Sequence, residues 1–529
     1  MVSHGCVPEH MTTQEYHYDF LFSDAESQSE WESVRFKNRF LAHNIPHTYM
    51  SRLRHDPLIC VACLVATFAA IIPPVRATDG MNMEGYGPVA TALGGASMAY
   101  DNGTAALINN PATLGLMTDN SRLDLAVGVL GPDIHVTSPQ TTPNIFNVPA
   151  DQTAKSSATS FFMPAIGYAQ RNGNFVFGIG VFGQGGMGCE YGSDSWRSLG
   201  YGLTNRTQVS VGRVIVPIVY KVNDKLQIAA TVDFVWDGMD LKMAMSGNQF
   251  FDLVMPSSQR FGRASGSIVQ SFGGILQTLP AGTSVDYAYF NFANGNTFTG
   301  EARGYGYAGK IGAVYTPTKE LSFGLSFHTP TELSDMRANG DSMSFELNIP
   351  GMGKMAQTLI GDFRVHDFQW PAMLGAGAAW NPDARWTLVA DIREVFWKNV
   401  MKEFQMNFVA DSIASNGPFA GQNLNAVLFQ SWNNQTVAEL GAAYQVSKQL
   451  TLRVGGNFCN NPVPDTYLNC LFPAIVKDHL TAGLGWKFDE RSSVDFSGTY
   501  GFKVSTVNGS GAGVSHSQTN AQVMYSHHF

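Results

Sequence analysis

From about residue 120 to the C-terminus, apolar and polar residues alternate in short runs. Ile228, Ala230, Val232, Phe234 and Trp236 are interleaved with Gln227, Ala229, Thr231, Asp233 and Val235. The same alternation runs through 321–328, 479–488 and 494–503. A period of two sends successive side chains to opposite faces of a strand. One face is apolar and often aromatic; the other holds Gly, Ser, Thr, Asp, Lys and His. A soluble sandwich would carry charge on its outer face. An apolar exterior around a small, polar interior fits a barrel in lipid, where backbone groups must pair within the wall.

Short turns at Arg171–Asn174, Asn223–Lys225, Thr316–Glu320, Asn381–Arg385, Val446–Gln449 and Asp489–Ser492 use Asn, Asp, Gly and Pro, which favour tight reversals. Longer connections lie at 139–157, 192–204, 246–300, 338–361, 408–432, 460–473 and 506–516. Strands are predicted near 122–137, 158–170, 175–190, 205–221, 226–243, 301–315, 321–336, 362–380, 386–404, 434–445, 450–459, 474–488, 493–505 and 516–529. The expected fold is therefore all-β: a roughly 14-stranded antiparallel transmembrane β-barrel over 119–529. Its place is the outer membrane of a Gram-negative cell, with both ends on the periplasmic side. Ala521, Val523, Tyr525, His527 and Phe529 alternate up to a terminal aromatic. That pattern is similar to the signal read by the outer-membrane assembly machinery.

Composition sharpens this reading. Only 14% of the 529 residues are charged, 12% are aromatic and 54 are Gly. Soluble domains carry about 25% charged residues. A mean hydropathy of −0.06 also excludes a helical membrane bundle. A net charge of −9 leaves no basic footprint for nucleic acid.

Residues 58–72 (LICVACLVATFAAII) form an apolar run preceded by Arg52, Arg54 and His55, with Val75-Arg76-Ala77 after it. The run is shorter than the roughly 20 residues of a spanning helix and reads as a signal peptide over 50–77. Residues 1–49 are left as an unassigned leader, with an over-called start as the favoured explanation. Outside these segments stand Cys189, Cys459 and Cys470. Cys459 and Cys470 bracket a short Pro-containing loop, so they are read either as a disulfide or as two free thiols. Cys and His show no zinc spacing, and no metal or cofactor is expected.

Residues 78–118 are rich in Gly and Ala, lack strand alternation and carry Asn109-Asn110-Pro111-Ala112 just before the first strand. This segment resembles the N-terminal hatch of the FadL family, outer-membrane transporters of long-chain fatty acids and other hydrophobic compounds. Pro462–Asp465 and Asn381–Leu388 are further matches, and the resemblance covers essentially the whole chain after the signal. Gly85-x-Gly87 loosely resembles a dinucleotide loop, but no strand precedes it and no helix with an acidic partner follows.

The resemblance implies capture by long outer loops, passage past a hatch in the lumen, and lateral release through a kink in the third strand. Gly180, Gly183, Gly185 and Gly186 crowd that strand, and the last three break its alternation, as a bend requires. Asn109 and Asn110 are expected to satisfy the backbone freed there. The loops at 246–300 and 338–361 match the two groove-forming loops, with Phe250, Phe251, Leu253, Met255, Phe261, Met352 and Met355 as capture residues. A helix-like stretch is expected from Met352 to Ile360. Lys310 faces inward among small residues and is the candidate partner for a cargo carboxylate; its bland role is a structural lumen charge. Arg393 and Arg453 are expected to pair with Asp391 and other carboxylates.

The function read from all this is passive uptake of fatty acids, aromatics or alkanes by a monomer in contact with outer-membrane lipids. An outer-membrane lipid-modifying enzyme and a general porin are the alternatives. No G-x-S-x-G motif supports the first, and a hatch opposes the second.

Overall fold

The structure, a computed structural model, describes residues 80–295 and 300–529. The leader 1–49, the signal 50–77 and the first two hatch residues lie outside them. The strands join into one antiparallel sheet. It begins with β1 (Ser121–Thr137), β2 (Thr153–Lys155), β3 (Phe161–Asn172), β4 (Phe175–Tyr191), β5 (Asn205–Lys221) and β6 (Leu226–Ser246). Next come β7 (Gly262–Ser265), β8 (Ser284–Phe292), β9 (Ala302–Tyr315), β10 (Leu321–His328), β11 (Glu332–Leu333), β12 (Met336–Ile349) and β13 (Gly353–His366). β14 (Met373–Trp380), β15 (Trp386–Val395), β16 (Glu403–Ala410), β17 (Asn423–Phe429) and β18 (Gln435–Gln445) follow. β19 (Leu450–Cys459), β20 (His479–Lys487), β21 (Ser492–Val507) and β22 (Gly513–His528) complete the set.

The wall closes. From β1 the ladders lead through β3, β4, β5, β6, β9, β10, β14, β15, β18, β19, β20 and β21 to β22. β22 then pairs back onto β1 from Arg122↔His528 to Thr137↔Gly513. Closure removes the free edges that lipid could not satisfy. Leu125, Phe177, Ile218, Val232, Tyr307, Ile311, Leu325, Ile392, Leu480 and Phe496 are exposed on the outer face. Asp233, Lys310, Asp391, Arg393, Glu439, Thr481, Ser497 and Asn520 are buried on the inner one. The alternation thus has the outward sense read from the sequence.

Several expected elements break. The strand expected over 362–380 ends at His366 and resumes at Met373, across Pro371, which lacks a ladder donor. The one over 386–404 ends at Val395, before a short helix at Trp397–Val400, and the one over 474–488 starts only at His479. The helix expected from Met352 to Ile360 is a correction: most of it is the β13 arm of a hairpin with β12, paired from Ile349↔Gly353 to Met336↔Val365. Its apolar residues serve strand faces, with Leu359, Phe363 and Val365 buried. Beyond the rim opposite the short turns, β8, β12, β13, β16, β17 and β7 continue as a crown, linked through β8–β12, β12–β13, β13–β16, β16–β17 and β17–β7.

Residues 80–117 pack against inward-facing side chains of the wall, and most of them are buried. Pro88–Ala92 is helical, and Gly103–Leu107 and Pro111–Leu116 are 3-10 turns. The Asn110 side chain accepts from Ala112 N, and Pro111 takes the first helical position, so Asn-Pro-Ala is a capped turn. Gly94 (φ 77°) shows why small residues are needed: a Cβ there would lie 2.4 Å from the Gly456 carbonyl oxygen on the wall.

Candidate functional site

The wall is irregular at β4. Pairing of β3 with β4 runs from Asn172↔Phe175 to Ala165↔Phe182 and stops there. Phe161 to Pro164 and the rest of β4 therefore lack a mutual ladder, although both strands continue. On its other side β4 shifts register against β5 between Gly183 and Gly185, and Gly186 has φ 151°. These are the marks of a bulge, which bends a strand and unpairs a residue.

The N-terminal segment meets the bulge. Asn82 bridges Gly185. Gly186 N donates to Met81 O (3.1 Å), and Tyr86 Oη donates to Gln184 O. Trp370 Nε1 holds Asn82 Oδ1 at 2.8 Å. The bonds at the bulge thus come from residues 81–86, not from Asn109 and Asn110. Asn109 Nδ2 donates to Tyr86 O (3.1 Å) and its carbonyl meets His328 Nε2 (2.9 Å). Asn110 Nδ2 donates to Met98 O (2.7 Å) and Ala313 O (3.3 Å). The two Asn side chains therefore brace the segment itself, with Asn110 reaching β9 and the Asn109 carbonyl reaching β10. Among the four predicted kink glycines, Gly185 is the tightest against the segment, with a Cβ falling 2.2 Å from Met81 O. Gly183 has only Met163 in ordinary contact at 3.5 Å, so space alone does not demand Gly there.

Elsewhere the wall grips the segment through polar side chains. Asp391 accepts from Ser97 N and from Met98 N (2.9 Å). Asp124 accepts from Thr104 N (2.6 Å). Gln522 Nε2 donates to Thr91 Oγ1 (2.9 Å), and Asn520 Nδ2 to Glu84 (3.1 Å). Lys310 is not available to a cargo carboxylate: its ammonium donates to Asp233, which Arg213 Nη1 also meets at 3.0 Å. Arg393 pairs with Glu439, and Arg453 with Asp495 at 2.7 Å. The structural role that the sequence allowed for Lys310 is the one its geometry supports.

A cavity of about 100 Å³ lies in the crown between several loops. Leu253 and Phe261 line it, as do Phe146, Arg197, Met243, Leu428, Tyr467 and Cys470. The remaining capture candidates lie elsewhere. Phe250 is buried against Phe272, which meets Phe345, which meets Phe419, at centroid distances of 5.5, 5.0 and 5.6 Å. Phe251 packs on Phe250. Met255, Met352 and Met355 are exposed and do not line the cavity. Helices Gly247–Val254 and Ser267–Thr278 place Phe250, Phe251, Leu253 and Phe272, whereas Met352 and Met355 belong to the β12–β13 hairpin. The first is fastened by a capping box between Ser246 and Gln249. Arg197 was missed in the sequence; the one available signal was a Trp-Arg pair inside a Gly- and Ser-rich loop.

Among the described residues Cys459 and Cys470 are not joined in a disulfide, a correction to that alternative. Cys459 ends β19 beside Gln435. Tyr191 Oη holds the Cys470 carbonyl (3.0 Å) and Thr207 Oγ1 meets its neighbour Leu471 O, fastening Cys470 to the β4–β5 side. Burial pushes the Cys470 thiol up, while Arg197 beside it pulls the other way. On the β12–β13 hairpin, burial pushes the Asp341 carboxyl up to about 7, with Glu301, Asp240 and Asp362 adding repulsion.

A family model described as outer membrane protein transport protein (OMPP1/FadL/TodX) matches residues 77–527. The toluene transporter TodX of Pseudomonas putida is 28% identical, with TM-score 0.70, over 85% of this chain and 99% of that one. The toluene transporter TbuX of Ralstonia pickettii is 27% identical, with TM-score 0.65, over 85% and 99%. A FadL homologue of Pseudomonas aeruginosa shares the fold at 15% identity and TM-score 0.60, over 85% and 100%. An uncharacterised protein of Chlorobium limicola is 45% identical over 83 residues, 16% of this chain; the chain spans only 39% of that curated relative.

Proposed function

The chain belongs to the OMPP1/FadL/TodX family of outer-membrane transport proteins, and from that premise we propose that it takes up hydrophobic small molecules by capture in the crown and lateral release through the wall. The ring is read as fourteen membrane-crossing strands, and residues 78–118 as the hatch that closes its lumen. The crown cavity receives the cargo. The exit lies where β4 leaves β3, beside hatch residues 81–86. The chain acts as a monomer in lipid, and its last strand is the one read by the assembly machinery.

The observation that carries this is the ladder ending at Ala165↔Phe182 next to the bulge at Gly185. Backbone released from a ladder must meet protein or water, since lipid cannot satisfy it. Residues 81–86 supply partners on the lumen side. The energetics favour a sideways route: an apolar solute gains about 0.8 kcal/mol per CH₂ on entering hydrocarbon and nothing in a wet pore. TodX and TbuX are named toluene transporters, so an aromatic is a reasonable first probe.

Toluene uptake into cells carrying Gly185→Val should fall about tenfold, because the side chain drives out Met81 and disturbs the exit. Gly183→Val, placed where there is room, should retain most uptake. Equal uptake by the wild type and a correctly folded Gly185→Val chain would refute the exit at β4.

A further inference from the structure

We propose that Arg303, Arg337 and Arg364, on the outer face, bind the phosphate groups of an outer-leaflet lipopolysaccharide; the inference rests on the reading of the ring as crossing the membrane. Arg303 stands near the start of β9, Arg337 near the start of β12 and Arg364 near the end of β13. The ladders set them side by side: Arg337 is the register partner of Arg303 on one side and of Arg364 on the other. All of them are exposed. Register partners hold their Cβ atoms about 5 Å apart, and like charges placed so are destabilising.

The chain itself does not relieve this repulsion. Among the described residues no carboxylate forms an ion pair with any of these arginines. The acids on the same face are engaged elsewhere or stand off. Asp335 meets His366 Nδ1 at 2.9 Å, and Asp362 accepts from Gly340 N (3.1 Å). Glu332 stands opposite Tyr307, and Glu301 forms no ion pair with Arg303. Arg303 Nε donates to the Gly300 carbonyl (3.2 Å); Arg337 and Arg364 make no side-chain hydrogen bond among the described residues. A guanidinium presents paired N–H groups that match a phosphate, and charge assistance strengthens those bonds. An anion bridging neighbouring arginines turns their repulsion into attraction.

Their height on the wall identifies the anion. Tyr305, Tyr307, Ile311 and Tyr315 are the exposed side chains of β9 below Arg303. Phe234 of β6 lies beside Tyr305 and Tyr307, at centroid distances of 6.1 and 6.0 Å. Tyr315 ends the strand at the short turn. At about 3.4 Å per residue and a tilt of about 40°, Tyr305 and Tyr315 are about 26 Å apart along the membrane normal, close to the roughly 25 Å apolar band that aromatic girdles flank. By the same geometry Arg303 lies about 5 Å beyond the outer girdle. That is the level of lipid phosphates. The leaflet opposite the short periplasmic turns is built of lipopolysaccharide, whose lipid A carries phosphates above its acyl chains. With a phosphate on the arginines, those chains would run down over Tyr305, Tyr307 and Ile311.

The test is native mass spectrometry of the full chain in detergent, titrated with bis-phosphorylated lipid A and with the same lipid stripped of its phosphates. A chelator keeps divalent ions from bridging. The phosphorylated lipid should bind about tenfold or more tighter. The triple variant Arg303→Gln/Arg337→Gln/Arg364→Gln should bring the two lipids within about twofold, while the corresponding triple lysine variant keeps part of the preference. The wild-type comparison needs no variant, and heat-shifted mobility on a gel reports whether each variant is folded. Inorganic phosphate at the lipid's own concentration should not displace it; displacement would make this a free-phosphate site and overturn the lipid assignment. Equal affinity for the two lipids, or a preference that survives the glutamine variant, overturns the arginine site. Flotation of the wild type with lipid vesicles tests the premise separately. A chain that inserts but shows no preference loses the phosphate site alone, whereas one that does not insert loses the membrane-crossing reading as well.

Discussion

Inside the ring, residues 80–117 are fastened by hydrogen bonds from wall side chains; in the crown, the loops are fastened to one another by rings. Asp391, Asp124 and Thr481 each reach a backbone N–H of the inner segment. The crown has a chain of edge-to-face contacts through Phe250, Phe272, Phe345 and Phe419. The difference follows from the surroundings. A barrel whose outer face is apolar has its polar residues inside, so whatever fills it must be held by directional bonds. Loops beyond the rim face water and cohere by burying apolar area. Directional bonds fix a position; apolar packing tolerates adjustment, which suits a capture surface.

The largest expected effect comes from removing the inner segment. Deleting 80–110 should raise bilayer conductance to small polar solutes by about an order of magnitude, because the emptied ring is wide enough to hold water. The strands should stay paired, as judged by heat-shifted mobility. Unchanged conductance would mean that the segment does not close the lumen.

Single contacts divide the two regions more finely. Phe272→Ala removes the central ring of the crown chain and should destabilise the Gly247–Thr278 region by about 3 kcal/mol. Asp391→Ala strands the Ser97 and Met98 N–H groups and should loosen the inner segment by about 2 kcal/mol. Hydrogen exchange should show each loss confined to its own region. If Phe272→Ala also loosens 80–117, the two regions are not energetically separate.

The smallest effect is pH dependence in the crown. The Asp341 carboxyl is pushed up to about 7 in the folded hairpin. Its favourable contribution is therefore fully present below the unfolded value near 4 and is lost as pH rises through about 7. Exchange across 336–366, corrected for intrinsic rates, should be slower at pH 5 than at pH 8. Asp341→Asn should flatten that difference, while segment 80–117 shows none of it.

The predicted capture residues divide along the same line. Leu253 and Phe261 reach the cavity, but Phe250 is spent on loop packing and Met352 and Met355 point to solvent. An apolar residue in a long loop reads the same in either role. What separates them is the path of the helices and hairpins, which brings Arg197, Met243 and Tyr467 together from distant positions.

Strand alternation, turn chemistry and low charge were enough to predict an all-β wall with its apolar face outward, because a period of two depends only on neighbours along one strand. The Gly/Ala-rich segment with its Asn-Pro-Ala close was recognised through a family resemblance, and the capped turn that Asn110 makes there was seen only in the structure. The partners of Lys310, the separation of Cys459 from Cys470, the role of residues 81–86 at Gly185, and the place of Arg197 on the cavity wall were not legible in the sequence. Each depends on which strands and loops meet across the barrel, sometimes several hundred residues apart, and only the closed tertiary structure decides those meetings.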